Sequence, residues 1–183
     1  MKTIDLTNVT EAGDFNRPAP GAYVCTITSA VDVPEKEYLI IGYDIAEGDF
    51  KGYYTKMRED HPDWNNAGTY YKSYKPTALG MFKRMCSAVS KSNGSYVFDG
   101  KTNADEKTLV GKKIGLVFQE EEYYGNDGAK RTRLIINKEC AVEDVPTQKV
   151  PALKLVKEDP EDIVELINKV PAAPNGEESV PWS

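Results

Sequence analysis

Histidine is almost absent from this chain. His61 is the only one in 183 residues, so neither a histidine-rich metal site nor a His-centred acid–base pair has its usual material. Asp60 and Asp63 flank it, but no motif elsewhere supplies matching ligands, and it reads as a surface loop residue. Cysteine is scarce as well. Cys25, Cys86 and Cys140 are odd in number and widely spaced, with no CxxC pair, which argues against zinc or a disulfide framework and for reduced core side chains. No apolar run approaches the roughly 18 residues of a membrane-spanning helix, and Met1-Lys2-Thr3-Ile4-Asp5 lacks an apolar targeting core. A soluble, intracellular protein is expected. Walker loops, zinc patterns and nucleophile motifs are missing too, so no enzyme, cofactor or metal is expected.

What the chain does have is segregated charge. Its formal net charge is −6, yet residues Lys51 to Lys113 hold twelve Lys or Arg against six Asp or Glu. An acidic body with a basic segment suits a protein that holds a polyanion in one groove rather than over its whole surface. A hydrophobic content of 40% is enough for one core. Residues 1–20, with Gly13, Pro18 and Pro20, read as an N-terminal arm, residues 21–145 as the folded domain, and residues 146–183 as a Pro-punctuated acidic tail.

Alternation of apolar and polar residues predicts a first strand over Ala22 to Val33 and a second over Glu37 to Ala46, hairpinned through Pro34-Glu35-Lys36. A third strand is predicted over Gly52 to Arg58, where Tyr53 and Tyr54 would point to opposite faces. The stretch from His61 to Pro76 then reads as an aromatic and basic loop. Apolar residues at helical spacing (Ala78, Leu79, Phe82, Met85, Cys86, Val89) predict a helix from Pro76 to Ser90. Strands four (Gly111 to Glu122) and five (Arg131 to Val142) flank the turn Gly125-Asn126-Asp127-Gly128. The expected fold is therefore mainly β: a five-stranded OB-fold-like barrel with one helix between strands three and four. In the tail, Asp159-Pro160-Glu161-Asp162 followed by Ile163, Leu166, Ile167 and Val170 predicts a short helix near 160–170, too short to stand without docking.

Between Gly21 and Ala141 the chain resembles the phage and prophage single-stranded DNA-binding proteins long catalogued only as a domain of unknown function. The resemblance rests on Gly21-Ala22-Tyr23, on Ile45-Ala46-Glu47-Gly48 with Lys51-Gly52 behind it, and on Leu109-Val110-Gly111-Lys112-Lys113. It implies an OB-fold that binds single-stranded DNA in phage replication or recombination, in the cytoplasm of a bacterial host. It does not supply contact residues.

Those come from the side chains themselves. Rings stack on bases and cations hold phosphates. The first candidate set is Trp64, Tyr70, Tyr71, Lys72, Tyr74 and Lys75, with barrel caps as the alternative role for the rings. A second set is Tyr53, Tyr54, Lys56 and Arg58 on the third strand, beside Tyr38 and Tyr43 on the second; either of Tyr53 and Tyr54 could face the ligand. A third is the hairpin with Tyr123, Tyr124, Lys130, Arg131 and Arg133, where Glu120-Glu121-Glu122 opposes phosphate binding and an ordinary solvated hairpin is the alternative. The end Asn175 to Ser183 resembles the tips of bacterial single-stranded DNA-binding proteins, which recruit replication and repair enzymes. That makes Val180, Pro181 and Trp182 candidate partner-binding residues, although Ser183 follows the ring where those tips end on it. Single-stranded DNA is the expected ligand and replication or recombination proteins the expected partners. The competing reading is an OB-fold interaction module whose tyrosines meet a protein. Whether the chain is a monomer or a homo-oligomer is left open.

Overall fold

Strand β1 (Gly21–Val33) is the hub of the sheet because its 13 residues are long enough to carry a partner on each edge. It pairs antiparallel with β2 (Tyr38–Ile45) along one edge and with the first half of β4 (Lys113–Tyr124) along the other. Strand β3 (Thr69–Ser73) joins β2, and β5 (Lys130–Cys140) joins β4, giving one five-stranded antiparallel sheet in the order β3-β2-β1-β4-β5. Helix α1 (Tyr53–Asp60) lies between β2 and β3, and α2 (Leu79–Ser92) between β3 and β4. The computed structural model describes residues 17–64 and 66–156. The short tail helix predicted near 160–170, the tip residues Val180, Pro181 and Trp182, and most of the N-terminal arm lie outside the described residues.

The mainly β fold with five strands and α2 between β3 and β4 is as the sequence predicts. Its third strand is not where the sequence put it. Tyr53 to Arg58 is helical, and the true strand falls at Thr69–Ser73, inside the stretch read as a loop. One tertiary and one local cause account for this. Gly52 enters α1 at φ 75° and has no side chain to cap the helix, but the buried Asp44 carboxylate on β2 accepts from the Tyr54 and Thr55 backbone N–H groups at 3.0 and 2.9 Å. A carboxylate on the orphan donors of a first turn stabilises it as a local N-cap would. The tyrosines' β-propensity is thereby outweighed, and Lys56, Met57, Arg58 and Glu59 are good helix formers.

The bulge at Thr28, the extra β1 residue between the pairs Ile27 to Tyr43 and Ser29 to Gly42, is a second departure from simple alternation. Before it Cys25 and Ile27 point inward; after it Ala30 does, and Ser29 turns out. Gly42 leaves room beside the bulge: a Cβ there would lie 2.3 Å from Ser29 Oγ, and that hydroxyl would have to rotate away.

Inside, Ile27, Leu39, Ile41, Ile45, Ile114, Leu116 and Phe118 meet Met85, Cys86 and Val89 of α2. Cys25, Cys86 and Cys140 are free thiols, the first two buried. Burial drives the Cys25 thiol far above its ordinary pKa, so it is an inert core residue. One end of the core is aromatic. Tyr43 packs on Tyr54, Tyr70 and Phe118 with ring centroids 5.0, 5.9 and 5.9 Å apart, and Tyr23 joins Phe118 at 5.0 Å. Gly68, at φ 70°, lets the chain pass close over this cluster: an added Cβ would sit 2.6 Å from Tyr54 Cβ and 2.7 Å from Tyr43 O. Gly68→Ala is therefore expected to cost about 1–3 kcal/mol in a urea titration, through overpacking and the left-handed backbone together.

Among the described residues no hydrogen-bonded ladder joins β3 to β5, so the curled sheet is not sealed by backbone pairing. A side-chain ion pair spans the seam. Lys72 Nζ of β3 lies 2.6 Å from Glu139 Oε1 of β5, both largely shielded from water.

Candidate nucleic-acid interface

Strand alternation decides which rings face out. On β2, Leu39, Ile41, Tyr43 and Ile45 turn inward, which leaves Tyr38 and Ile40 on the outer face. On β3, Tyr70 and Lys72 stand opposite Ile41 and Leu39 and share their inward face, while Tyr71 stands opposite Ile40 and faces out. Beyond the bulge, β1 brings Val31 and Val33 beside Ile40 and Tyr38. The result is an apolar patch on the outer face of three adjacent strands: Val31 is 53% exposed and Tyr71 60% exposed, and the Tyr71 ring meets Tyr38 edge to face at 5.3 Å. At one end of the patch the Tyr74 N–H donates to Glu37 O at 2.9 Å, which brings the turn holding Lys36 next to the residues that lead into Lys75. Both lysines are exposed and neither is in an ion pair among the described residues, though Glu35 and Glu37 share the turn.

The other candidates scatter. Tyr54 is a core residue, its hydroxyl pushed up to about 12 chiefly by burial, and Tyr43 is buried beside it. Tyr53 is half-buried between Phe50 and Tyr54, at 6.1 and 5.1 Å. The Tyr70 hydroxyl is buried without a hydrogen-bond partner, and desolvation holds it well above the ordinary tyrosine range. Lys72 is committed to Glu139. Arg58 donates to Ala67 O at 2.6 Å and Thr55 Oγ1 at 3.2 Å, so it ties α1 to the following turn. Lys56 projects from α1 into solvent. Trp64 is 49% exposed but stacked on His61 at 4.3 Å. Tyr74 packs on Phe82 at 5.9 Å and donates its hydroxyl to Asp32 at 2.9 Å. Of the aromatic and basic stretch, then, Tyr71 and Lys75 stand ready for a ligand on the sheet, and Trp64 on the turn before it.

The β4–β5 hairpin carries its own counter-charges. Arg131 pairs with Asp127, Arg133 with Glu121 and Lys130 with Glu122, and the Arg133 guanidinium lies over the Tyr123 ring at 5.0 Å. Arg17 pairs with Glu120 and Lys154 with Glu121 as well, so five cations meet the four acids (Glu120, Glu121, Glu122, Asp127) and most of the arm's positive charge is answered within the fold. Past Phe118, β4 has no β1 neighbour, and the segment around Lys154 takes the vacant edge: Lys154 N donates to Glu120 O at 2.8 Å and Glu122 N to Lys154 O at 2.9 Å. Hydrogen bonds from Lys154 and Arg133 hold the Glu121 carboxyl below its usual range. Tyr124, 43% exposed, is the arm's remaining open ring.

Sequence reasoning named Tyr38 but missed Val31, Ile40 and Lys36. The signal was present as the two-residue period of Thr69 to Ser73, which places Tyr71 beside Ile40 once β3 is paired with β2. Among the described residues no three His, Cys, Asp or Glu side chains converge as a metal site would require. No helix there is long and apolar enough to cross a membrane. No protein-family model matches the chain, and no curated protein matches it.

Proposed function

We propose that this chain is a non-enzymatic single-stranded DNA-binding protein that acts in replication or recombination, as the phage proteins it resembles do. The strand lies across the outer face of β1, β2 and β3. The observation that carries this reading is Tyr71, a large ring 60% exposed on an ordered strand and braced by Tyr38. The outer surface of strands two and three is where OB-folds meet oligonucleotides. An exposed, pre-oriented ring offers a stacking platform to any base without sequence preference.

Tyr71→Ala should weaken binding to oligothymidylate by about 1–3 kcal/mol while leaving the unfolding midpoint nearly unchanged. Trp64→Ala, measured alongside, tells whether the turn before β3 contributes a second ring. In wild type the affinity should fall with salt at a log–log slope of roughly −3 to −4, for about four to six phosphates at ~0.7 counterions each. An affinity that ignored salt and survived loss of Tyr71 would sink the nucleic-acid reading, and would leave the patch as a surface for a protein partner.

A further inference from the structure

Helix α2 carries Lys83, Arg84 and Lys91 and not one acidic residue in its 14 positions. None of these cations is in an ion pair among the described residues, and neither is Lys138 of β5. In a chain of net charge −6 acidic partners are plentiful, yet these four cations have none among the described residues. Arg84, Ser87 and Lys91 fall on one side of α2 by helical spacing and line a cleft of about 390 Å³ whose opposite wall brings Lys138, Asp144 and Gln148. Glu139 also borders it, but its charge is answered by Lys72. Arg84, Lys91 and Lys138 against Asp144 leave the cleft at about +2.

We propose that this cleft binds a phosphate group, supplied either by a nucleic acid backbone or by free phosphate. The Arg84 guanidinium offers the planar fork that matches two phosphate oxygens, and the two lysines add point charge. Ser87 has no hydrogen-bond partner among the described residues, so its hydroxyl can donate to a third oxygen. The apolar lining is limited to small side chains such as Ala88, Cys140 and Ala141, which gives an amphipathic acidic peptide little to bury. Phosphate is thus favoured over a protein carboxylate. The site uses none of the residues of the aromatic patch.

The test compares full-length wild type with the triple variant Arg84→Ala, Lys91→Ala, Lys138→Ala and with a charge-matched control, Lys51→Ala, Lys101→Ala, Lys107→Ala. Calorimetric titration with sodium pyrophosphate should show at least a tenfold loss of affinity in the cleft variant and little in the control. Where the backbone is the source, the salt slope for oligothymidylate also falls by about 2 in the cleft variant, for three contacts at ~0.7 each. Where free phosphate is the source, the slope stays and only pyrophosphate binding is lost. No pyrophosphate binding by wild type together with an unchanged slope overturns the proposal. So do equal losses in the control, or poly-glutamate binding more tightly than pyrophosphate. If wild type failed to bind oligothymidylate at all, the reading of the aromatic patch would fall, and the pyrophosphate arm would still decide the cleft.

Discussion

Lys72→Ala should lower the unfolding free energy by about 3–5 kcal/mol, the cost of leaving a buried charge without its partner. Glu139 is 3% exposed, and its Oε2 already lacks a hydrogen-bond partner, so Lys72 is the group that makes its burial tolerable. Because the pair spans the seam that no backbone ladder closes, the loss should also loosen β3 against β5, visible as faster amide exchange at Tyr70 and Lys72. The double variant Lys72→Met, Glu139→Leu separates the causes. Removing both charges should recover most of the lost stability, since apolar side chains of similar size replace a buried pair at little net cost. Variants that remain folded should still bind oligothymidylate, because Lys72 faces the interior. A Lys72 variant of normal stability and impaired binding would show the reverse: a phosphate contact at the surface.

Asp44→Ala should cost about 2–4 kcal/mol, by removing the cap of α1 and stranding buried backbone donors. Asp44 is 7% exposed and accepts from Ile45, Tyr54 and Thr55 N–H, at 2.8, 3.0 and 2.9 Å. Asp44→Asn keeps one acceptor oxygen and should lose roughly half as much. The near-ultraviolet dichroism should weaken in the alanine variant, since Tyr54 enters the Tyr43 and Phe118 cluster from α1. Urea titration gives the energy and dichroism the place. A loss below about 0.5 kcal/mol would mean that α1 is held by its packing and that the carboxylate is incidental.

The number of strands, the hairpin turns and the α2 helix were legible because each is written locally. Alternation over Leu39 to Ile45, the Gly125-Asn126-Asp127-Gly128 turn and the apolar spacing from Ala78 to Val89 need no distant partner to be read. The segregation of positive charge into the middle of the chain was equally plain, and α2 lies within it. Three things were decided only in the folded molecule. Tyr53 and Tyr54 became helical because Asp44 of β2, ten residues before Tyr54, supplied the cap that Gly52 could not. Tyr70 and Tyr71, adjacent and alike in sequence, were separated into an interior ring and an exposed one by the register of β3 on β2. Lys72 and Lys75, equal candidates for phosphate by composition, were divided by Glu139, which lies 67 residues beyond Lys72 and meets it only where the sheet curls on itself. Local pattern fixes which backbone shape a segment favours, whereas the direction and partner of a side chain depend on what the rest of the chain brings against it.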